Sequence, residues 1–103
     1  MICALTVRTL KPGTFDEFHD AFLAGMDADS PPAGWVRFDM LRNADNPDEV
    51  ITFGFFDGTV EDVRRDADES GYAEQLERIA PYVESTGADG LYEIVEEFTA
   101  ASA

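Results

Sequence analysis

The sequence predicts one α+β domain, because strand-like and helix-like patterns alternate along its 103 residues. Strands are indicated where apolar and polar residues alternate, and helices where apolar residues recur every three or four positions. Clusters of Pro, Gly, Asn and Asp separate these segments. In order, the segments give β-α-β-β-α-β, within a length that fits a single domain.

The first strand covers residues 2 to 9, and a helix follows it. Along the strand, one face takes Cys3, Leu5 and Val7, and the other takes Ile2, Ala4, Thr6 and Arg8. Thr14 with Glu17 three residues later predicts a capping box at the start of the helix. The apolar positions at helical spacing are Phe15, Phe18, Phe22 and Met26. We expect this helix to end at about residues 25 to 27.

Two further strands form a hairpin. The first is GWVRFDMLRN, residues 34 to 43, and the second is EVITFGFFD, residues 49 to 57. The segment NADNPD between them is rich in turn formers. In the first of these strands, Val36, Phe38 and Met40 alternate with Trp35, Arg37 and Asp39.

The second helical region begins at Thr59, where Asp62 three residues later marks a helix start, and we expect a break near residues 69 to 71. Its later half, YAEQLERIAPYV, places Tyr72, Leu76, Ile79 and Val83 on one face. A last strand over residues 87 to 98 completes a domain of residues 1–98. Residues 99–103 form a short polar tail.

This order predicts a ferredoxin-like fold, a four-stranded antiparallel sheet with both helices on one face. We expect the helix-covered face to take the all-apolar set Cys3, Leu5, Val7, Val36, Phe38, Met40, Ile51, Phe53 and Phe55. The bare face then holds Ile2, Ala4, Thr6, Trp35, Arg37, Asp39, Val50, Thr52 and Phe56, with Leu91, Glu93 and Val95 from the last strand. Tyr92 and Ile94 would face the helices. So much apolar area should not stay in water, and two copies packing these bare faces together would bury it and enclose a pocket.

The composition excludes several classes of partner. The net charge of −15, from 22 acidic and 7 basic residues, repels nucleic acid and anionic membrane surfaces. The single cysteine, Cys3, rules out an intrachain disulfide and a multi-cysteine metal site. No apolar run approaches the roughly 20 residues that cross a bilayer, so we expect a soluble cytoplasmic protein.

Several segments of the chain resemble, in their pattern and order, those of a known protein family. They are the strand ITFGFFDG running into TVEDVRRD, the later GYAEQLERIAPYV and the closing LYEIVEEF. In this order the chain resembles the antibiotic biosynthesis monooxygenase (ABM) group of the dimeric α/β-barrel superfamily. The resemblance covers nearly the whole chain and rests on pattern, because the group has no short signature motif. It implies a homodimer whose sheets face each other, with an interior cavity in each subunit.

Trp35, Arg37 and Asp39 form the most informative set of candidate site residues. An indole wall beside an arginine and a carboxylate suits a planar, oxygen-bearing aromatic: Arg37 would stabilise a phenolate or enolate, and Asp39 would accept a proton or hold the arginine. The alternative is an ion pair at the subunit interface, with Trp35 as a packing anchor. Further substrate-binding candidates on the same face are Thr6, Thr52 and Phe56.

Three other residues are candidates on separate grounds. His19, the only histidine, lies in the sheet-facing stripe of the first helix, as a core residue or as a proton-transfer group. Tyr72 is either a core tyrosine or a phenol that hydrogen-bonds substrate. Glu93 would act as a base if it enters the cavity, since burial raises the pKa of a carboxyl group. Haem-degrading relatives place their proximal histidine in the second helical region, which has none here, so we expect no haem.

The resemblance implies a function, although the fold alone does not decide the reaction. Described ABM members include cofactor-independent oxygenases of phenolic or quinol-like aromatics. We therefore expect a homodimer that binds a small aromatic or polyketide-like molecule without a cofactor or metal, with monooxygenation as the leading reaction. The alternatives are a cyclase or isomerase using the same cavity, and a non-catalytic metabolite-binding dimer.

Overall fold

The computed structural model describes residues 1–24 and 32–100. Its strands are β1 (Ile2–Leu10), β2 (Trp35–Arg42), β3 (Glu49–Phe56) and β4 (Val83–Glu93). Its helices are α1 (Phe15–Leu23), α2 (Val60–Glu69) and α3 (Tyr72–Ile79), and a 3-10 turn (Ala80–Tyr82) leads into β4. The predicted helix end at residues 25 to 27 and the predicted core residue Met26 lie outside the described residues.

The sheet is antiparallel throughout, in the order β2-β3-β1-β4. The strand order and the placement of the helices give the predicted ferredoxin-like α+β fold. The predicted β2–β3 hairpin is present. The break in the second helical region is present as well, at Gly71, whose backbone φ of 79° is left-handed. Glycine adopts this conformation without the steric cost that other residues incur.

Two apolar clusters hold the helices on the sheet. The first contains Leu10 and Val50 of the sheet, Phe18 of α1 and Ile79 of α3. The second lies nearer α2, and its buried members are Ile2, Phe56 and Val63, with Trp35, Val60 and Leu91 packed against them.

These contacts reverse the predicted faces of β1 and β3. The helices cover Ile2, Ala4, Thr6, Val50, Thr52 and Phe56, which were expected on the bare face, and they also cover Arg8, which shares this face of β1. The all-apolar sets expected under the helices, Cys3, Leu5, Val7, Ile51, Phe53 and Phe55, lie on the opposite face. The prediction assumed that the helices cover the most apolar face, whereas alternation only separates the two faces and does not say which one the helices cover.

In β2 the prediction is correct for four residues and wrong at the start of the strand. Phe38 and Met40 face the helices, and Arg37 and Asp39 face away, as expected. A register shift between Trp35 and Arg37 then breaks the alternation, as an extra residue in a bulge does. Trp35 therefore lies on the helix side, and Val36 is exposed.

The last strand begins and ends earlier than predicted. The helical turns end at Tyr82, just after Pro81, and pairing with β1 begins at Val83 opposite Leu10. The pairing ends at Glu93 opposite Ile2, and beyond it the Ile94 N–H donates one more hydrogen bond to the carbonyl oxygen of Met1 at 3.2 Å. Leu91 and Glu93 do share a face with Ala4 and Ile2, as predicted, but this is the helix-covered face, so Tyr92 lies on the opposite one.

The predicted capping box at Thr14 is absent, although the helix start is correct. The Thr14 hydroxyl donates to the carbonyl oxygen of Lys11 at 2.7 Å, so it does not cap α1. At α2 the corresponding signal is borne out: the side chains of Thr59 and Asp62 each accept a hydrogen bond from the other's backbone N–H, at 3.2 and 3.1 Å.

Candidate functional site

A group of polar side chains lies under the helices, between the two apolar clusters. Thr6 and Arg8 of β1 are 8% and 4% exposed, and Thr52 of β3 lies directly opposite Thr6 in the sheet. The Arg8 Nη1 atom donates a hydrogen bond to Thr52 Oγ1 at 3.0 Å. Apolar side chains normally fill the layer between a sheet and its helices. A buried arginine in this layer does not improve the packing, so it indicates a functional role.

Two more side chains connect this group to the surface. Thr6 Oγ1 donates to Asp89 Oδ1 at 3.0 Å, and Asp89 is an exposed residue of the edge strand β4. Tyr72, the first residue of α3, is near enough to Arg8 for its phenol group to act on the pKa of the guanidinium. We call Thr6, Arg8, Thr52, Tyr72 and Asp89 the Arg8 cluster.

In the part of the chain that the structure describes, Arg8 contacts a hydroxyl group and an aromatic ring rather than an ion-paired carboxylate. Burial lowers the pKa of Arg8 from its ordinary value, while the nearby Tyr72 and Asp89 act in the opposite direction. An arginine stays protonated in proteins even so. Its Cζ atom lies 5.9 Å from the ring centroid of Phe22, within cation–π range. Among the described residues, no carboxylate oxygen lies within ion-pair distance of Arg8.

The Arg8 cluster has the chemistry of a site for an anionic oxygen. A guanidinium carries only hydrogen-bond donors and binds phenolates, enolates and carboxylates through charge-assisted hydrogen bonds. Burial strengthens such contacts, because water no longer competes for the charge. The cost of burying Arg8 is already met by the fold, so a ligand anion would find a preorganised cation. All buried side-chain nitrogen and oxygen atoms of the described residues have hydrogen-bond partners.

Arg37 and Asp39 are not part of this cluster. They lie on the face of the sheet that the helices leave uncovered, and they pair with each other. The Arg37 Nε and Nη2 atoms donate to Asp39 Oδ2 at 2.9 and 2.5 Å. With 64% of its side chain exposed, Arg37 has the surroundings of a surface ion pair rather than of a desolvated site.

Trp35 and Phe56 lie on the helix side of the sheet and pack in the second apolar cluster. The indole Nε1 atom donates to Asp66 Oδ2 of α2 at 2.9 Å. The ring centroid of Trp35 lies 4.7 Å from that of Phe38 and 5.1 Å from that of Phe56. These contacts connect β2 to the helix layer.

His19 and Glu93 are also separate from the Arg8 cluster in the described contacts. The His19 side chain is 45% exposed, with Nδ1 3.8 Å from Asp20 Oδ1 and its ring centroid 5.8 Å from that of Phe15. Glu93 is exposed at the end of β4. The structure therefore brings together three of the predicted residues, Thr6, Thr52 and Tyr72.

Sequence reasoning did not select the two charged members of the cluster, Arg8 and Asp89. A signal for Arg8 was present, since it shares a strand face with Thr6 and the neighbouring strand supplies Thr52. Two adjacent strands with polar residues at the same depth indicate a polar row across a sheet. Asp89 lies between Gly87 and Gly90 in a segment that resembles a turn, so its place beside Thr6 follows only from the register of β4.

The described residues contain no group of three or more His, Cys, Asp or Glu side chains placed to hold a metal ion. None of the helices in residues 1–24 and 32–100 has the length and hydropathy that a bilayer crossing requires.

Comparison with known proteins gives structural neighbours only. The sequence matches no family model and no curated protein. A Deinococcus radiodurans protein assigned to the antibiotic biosynthesis monooxygenases superposes with a TM-score of 0.79, over 99% of this chain and 100% of that one, at 10% identity. SnoaB from Streptomyces nogalater, a cofactor-independent oxygenase, gives 0.73 over 93% and 94% at 19% identity. A conserved protein from Methanosarcina mazei Go1 gives 0.74 over 88% and 89% at 12% identity.

These neighbours place the chain in a structural class. It has the ferredoxin-like α+β fold of the ABM proteins over nearly its whole length, so the predicted resemblance is confirmed at the level of fold. Identities of 10% to 19% carry no residue-by-residue assignment of a site. The activity must therefore be argued from the Arg8 cluster itself.

Proposed function

We propose that the protein binds a small aromatic molecule through a phenolic or enolic oxygen at Arg8, and oxidises it with dioxygen without a cofactor. One observation carries the proposal. In a protein with a net charge of −15, a nearly fully buried arginine is held by the Thr52 hydroxyl and the ring of Phe22, with no ion-paired carboxylate among the described residues. The likeness in fold to SnoaB supports the choice of reaction.

The proposed chemistry uses Arg8 to stabilise the anion of the substrate. A phenol or enol that hydrogen-bonds to the guanidinium ionises more readily, because the nearby positive charge lowers its pKa. The proton leaves toward Asp89, the acidic residue beside Thr6. The electron-rich ring then reduces dioxygen: a ring CH₂ group becomes C=O, and the second oxygen atom leaves as water. The substrate supplies all four electrons, so the reaction needs no external reductant.

The experiment measures oxygen uptake with hydroxylated anthrones and naphthoquinols and no added cofactor. The matched variants are Arg8→Met and Arg64→Met, which remove the same charge from the buried layer and from an exposed position on α2. We expect Arg8→Met to lower kcat/KM by roughly ten- to a hundredfold, the cost of a charge-assisted hydrogen bond in a desolvated site. Arg64→Met should leave it unchanged.

The outcomes separate the alternatives. Isomerisation or cyclisation of these compounds under nitrogen would favour a cyclase or isomerase in the same site. Arg8-dependent binding without turnover would favour a metabolite-binding protein. If Arg64→Met is as damaging as Arg8→Met while both variants stay folded by circular dichroism, the site assignment is wrong.

We also propose that the functional unit is a homodimer formed through the uncovered sheet face. The residues of that face include Cys3, Leu5, Val7, Arg37, Asp39, Leu41, Glu49, Ile51, Phe53 and Phe55. A face this apolar favours association. It is also a place where two strongly acidic copies can meet, because the two acidic side chains among these residues, Asp39 and Glu49, accept hydrogen bonds from Arg37 and Asn43.

A further inference from the structure

Polar side chains of the Arg8 cluster form a row across three strands. Thr52 of β3 lies directly opposite Thr6 of β1, and Thr6 lies directly opposite Asp89 of β4. Residues paired in this way place their Cβ atoms about 4.5 to 5.5 Å apart on one face of a sheet. Arg8, further along β1, reaches this row and donates to Thr52. The row therefore has a cation at its β3 end and a carboxylate at its β4 end.

The two threonine hydroxyls of this row offer opposite hydrogen-bonding groups, because their partners fix the direction of each bond. A guanidinium has no acceptor, so Thr52 Oγ1 accepts from Arg8 Nη1 at 3.0 Å and keeps its own proton. None of the described hydrogen bonds has the Thr52 side chain as its donor. An ionised carboxylate has no donor, so Thr6 Oγ1 gives its proton to Asp89 Oδ1 at 3.0 Å and keeps only lone pairs. Towards a ligand, Thr52 is thus a donor and Thr6 an acceptor.

The row opens to solvent at the β4 edge of the sheet. Asp89 is exposed, and so is Thr86, which lies opposite Arg8 on β4. The β1 residues beside them, Thr6 and Arg8, are 8% and 4% exposed. A small molecule therefore reaches the buried part of the row from this edge, where the helices do not cover β4.

We infer that the Arg8 cluster selects aromatic molecules that carry an ionised oxygen and a neutral hydroxyl on neighbouring ring carbons, as the monoanion of a catechol does. The ionised oxygen accepts from Arg8 and from the Thr52 hydroxyl, and the neighbouring hydroxyl donates to Thr6. This inference rests on the proposed function and deepens it, since it names the second polar group that a substrate needs and the residue that recognises it.

The same row rejects molecules that differ from this pattern at the second oxygen. The carboxylate of Asp89 lies beside Thr6 and repels a second ionised oxygen there, so the dianion is disfavoured. A methoxy group in place of the hydroxyl brings an acceptor against the acceptor Thr6. A monophenol makes no hydrogen bond to Thr6 at all. Both therefore bind more weakly than the catechol monoanion, although they carry the same ionised oxygen.

The test compares three probes whose anions absorb visible light: 4-nitrocatechol, 4-nitrophenol and 2-methoxy-4-nitrophenol. Titration in the absence of dioxygen, at a pH where each probe is a monoanion, measures binding alone. We expect the wild type to bind 4-nitrocatechol about three- to tenfold more tightly than either of the other two, which is the effect of one additional hydrogen bond in a desolvated site. Equal affinity for the three probes overturns the inference.

Substitutions at the two threonines separate their roles. Thr6→Val removes the acceptor, so the preference for 4-nitrocatechol should disappear while the affinity for 4-nitrophenol stays unchanged. Thr6→Ser keeps the hydroxyl and should keep the preference. Thr52→Val should weaken the binding of all three probes by the same factor, because it removes a donor to the ionised oxygen that they share. The control is Thr99→Val, at an exposed threonine after β4, and it should bind as the wild type does.

A folded Thr6→Val that keeps the wild-type preference also overturns the inference. The proposed function survives that result if Arg8→Met has lost its affinity for all three probes. If Arg8→Met binds them as the wild type does, or if the wild type binds none of them, both proposals fail together. Circular dichroism identifies variants that do not fold, and the three probes on the wild type decide the question if Thr6→Val is one of these variants.

Discussion

Trp35 is the residue through which β2 is attached to the helix layer. Its indole N–H donates to Asp66 on α2, and its ring packs on Phe38 and Phe56. Gly54, between these rings, leaves the space they need: a Cβ atom there would lie 2.7 Å from Phe38 and 2.9 Å from Trp35. These contacts give Trp35 a structural role on the side of the sheet where the helices pack.

A substitution at Asp66 tests this role. Asp66→Ala leaves the half-buried indole N–H without its acceptor, so we expect the free energy of unfolding to fall by about 1 to 2 kcal/mol. Urea unfolding followed by tryptophan fluorescence measures the change. Asp68→Ala is the matched control, since it removes an exposed carboxylate from the same helix. An equal loss in the two variants would mean that the Trp35–Asp66 hydrogen bond contributes nothing to stability.

At single residues, the sequence predicted which side chains share a face better than which face the helices cover. Thr6 and Thr52 were correctly placed on the same face of the sheet, and Arg37 and Asp39 on the same face of β2. The charged centre was assigned to Arg37 because that arginine lies beside a tryptophan and an aspartate in the chain. The bulge at Trp35 removes the tryptophan from that face, and a bulge leaves no mark in a pattern of alternation.

At the scale of the elements, α1 and α2 both follow a threonine, but only α2 begins with a capping box. At its first turn the Asp62 carboxylate accepts the Thr59 N–H, and this hydrogen bond is the main reason why the pKa of Asp62 is lowered. At α1 the Thr14 N–H donates to the carbonyl of Lys11 instead. A threonine followed three residues later by an acidic residue therefore forms a capping box at α2 and not at α1. At α1 the hydroxyl and the N–H of Thr14 both donate to the carbonyl oxygen of Lys11, in the turn before the helix.

This difference predicts a pH dependence. A carboxyl group whose pKa is lower in the folded state stabilises the protein above its ordinary pKa, and that contribution is lost as the pH falls through the lowered value. We expect Asp62→Asn to be less stable than the wild type at pH 7, with the difference shrinking below about pH 4. Chemical unfolding at the two pH values measures it. The control is Glu17→Gln, in the third position of α1, and an equal pH-dependent loss there would contradict the assignment.

The order and type of the elements could be predicted, but not all of their bounds. Alternation in β1, β2 and β3 predicted three strands and the hairpin, the segment LYEIVEEF predicted the fourth strand, and Gly71 marked the break in the second helical region. The start of β4 was placed four residues late, because ESTGADG, residues 84–90, has the composition of a turn. Pairing with β1 makes it a strand, and pairing is a tertiary effect that local propensity does not contain.

For the molecule as a whole, the orientation of the sheet was the feature that the sequence left undetermined. Both faces carry enough apolar residues to be covered, so the pattern allowed two solutions. The structure puts the more polar face, with Thr6, Arg8 and Thr52, under the helices, and leaves Ile51, Phe53 and Phe55 outside. This arrangement fits the two proposals made above, in which the chain's own helices enclose a site and a second chain covers the apolar face.

The last prediction concerns that second chain. We expect sedimentation equilibrium at micromolar concentration to give twice the chain mass of 11.3 kDa. Phe53→Glu should dissociate the dimer, because each copy would bury an unpaired carboxylate in an apolar interface. Leu76→Glu is the matched control: it adds the same charge at an exposed apolar residue of α3, and it should leave the mass unchanged. A wild type that sediments at 11.3 kDa, or a dimer broken by Leu76→Glu and not by Phe53→Glu, would show that the uncovered face is not the interface.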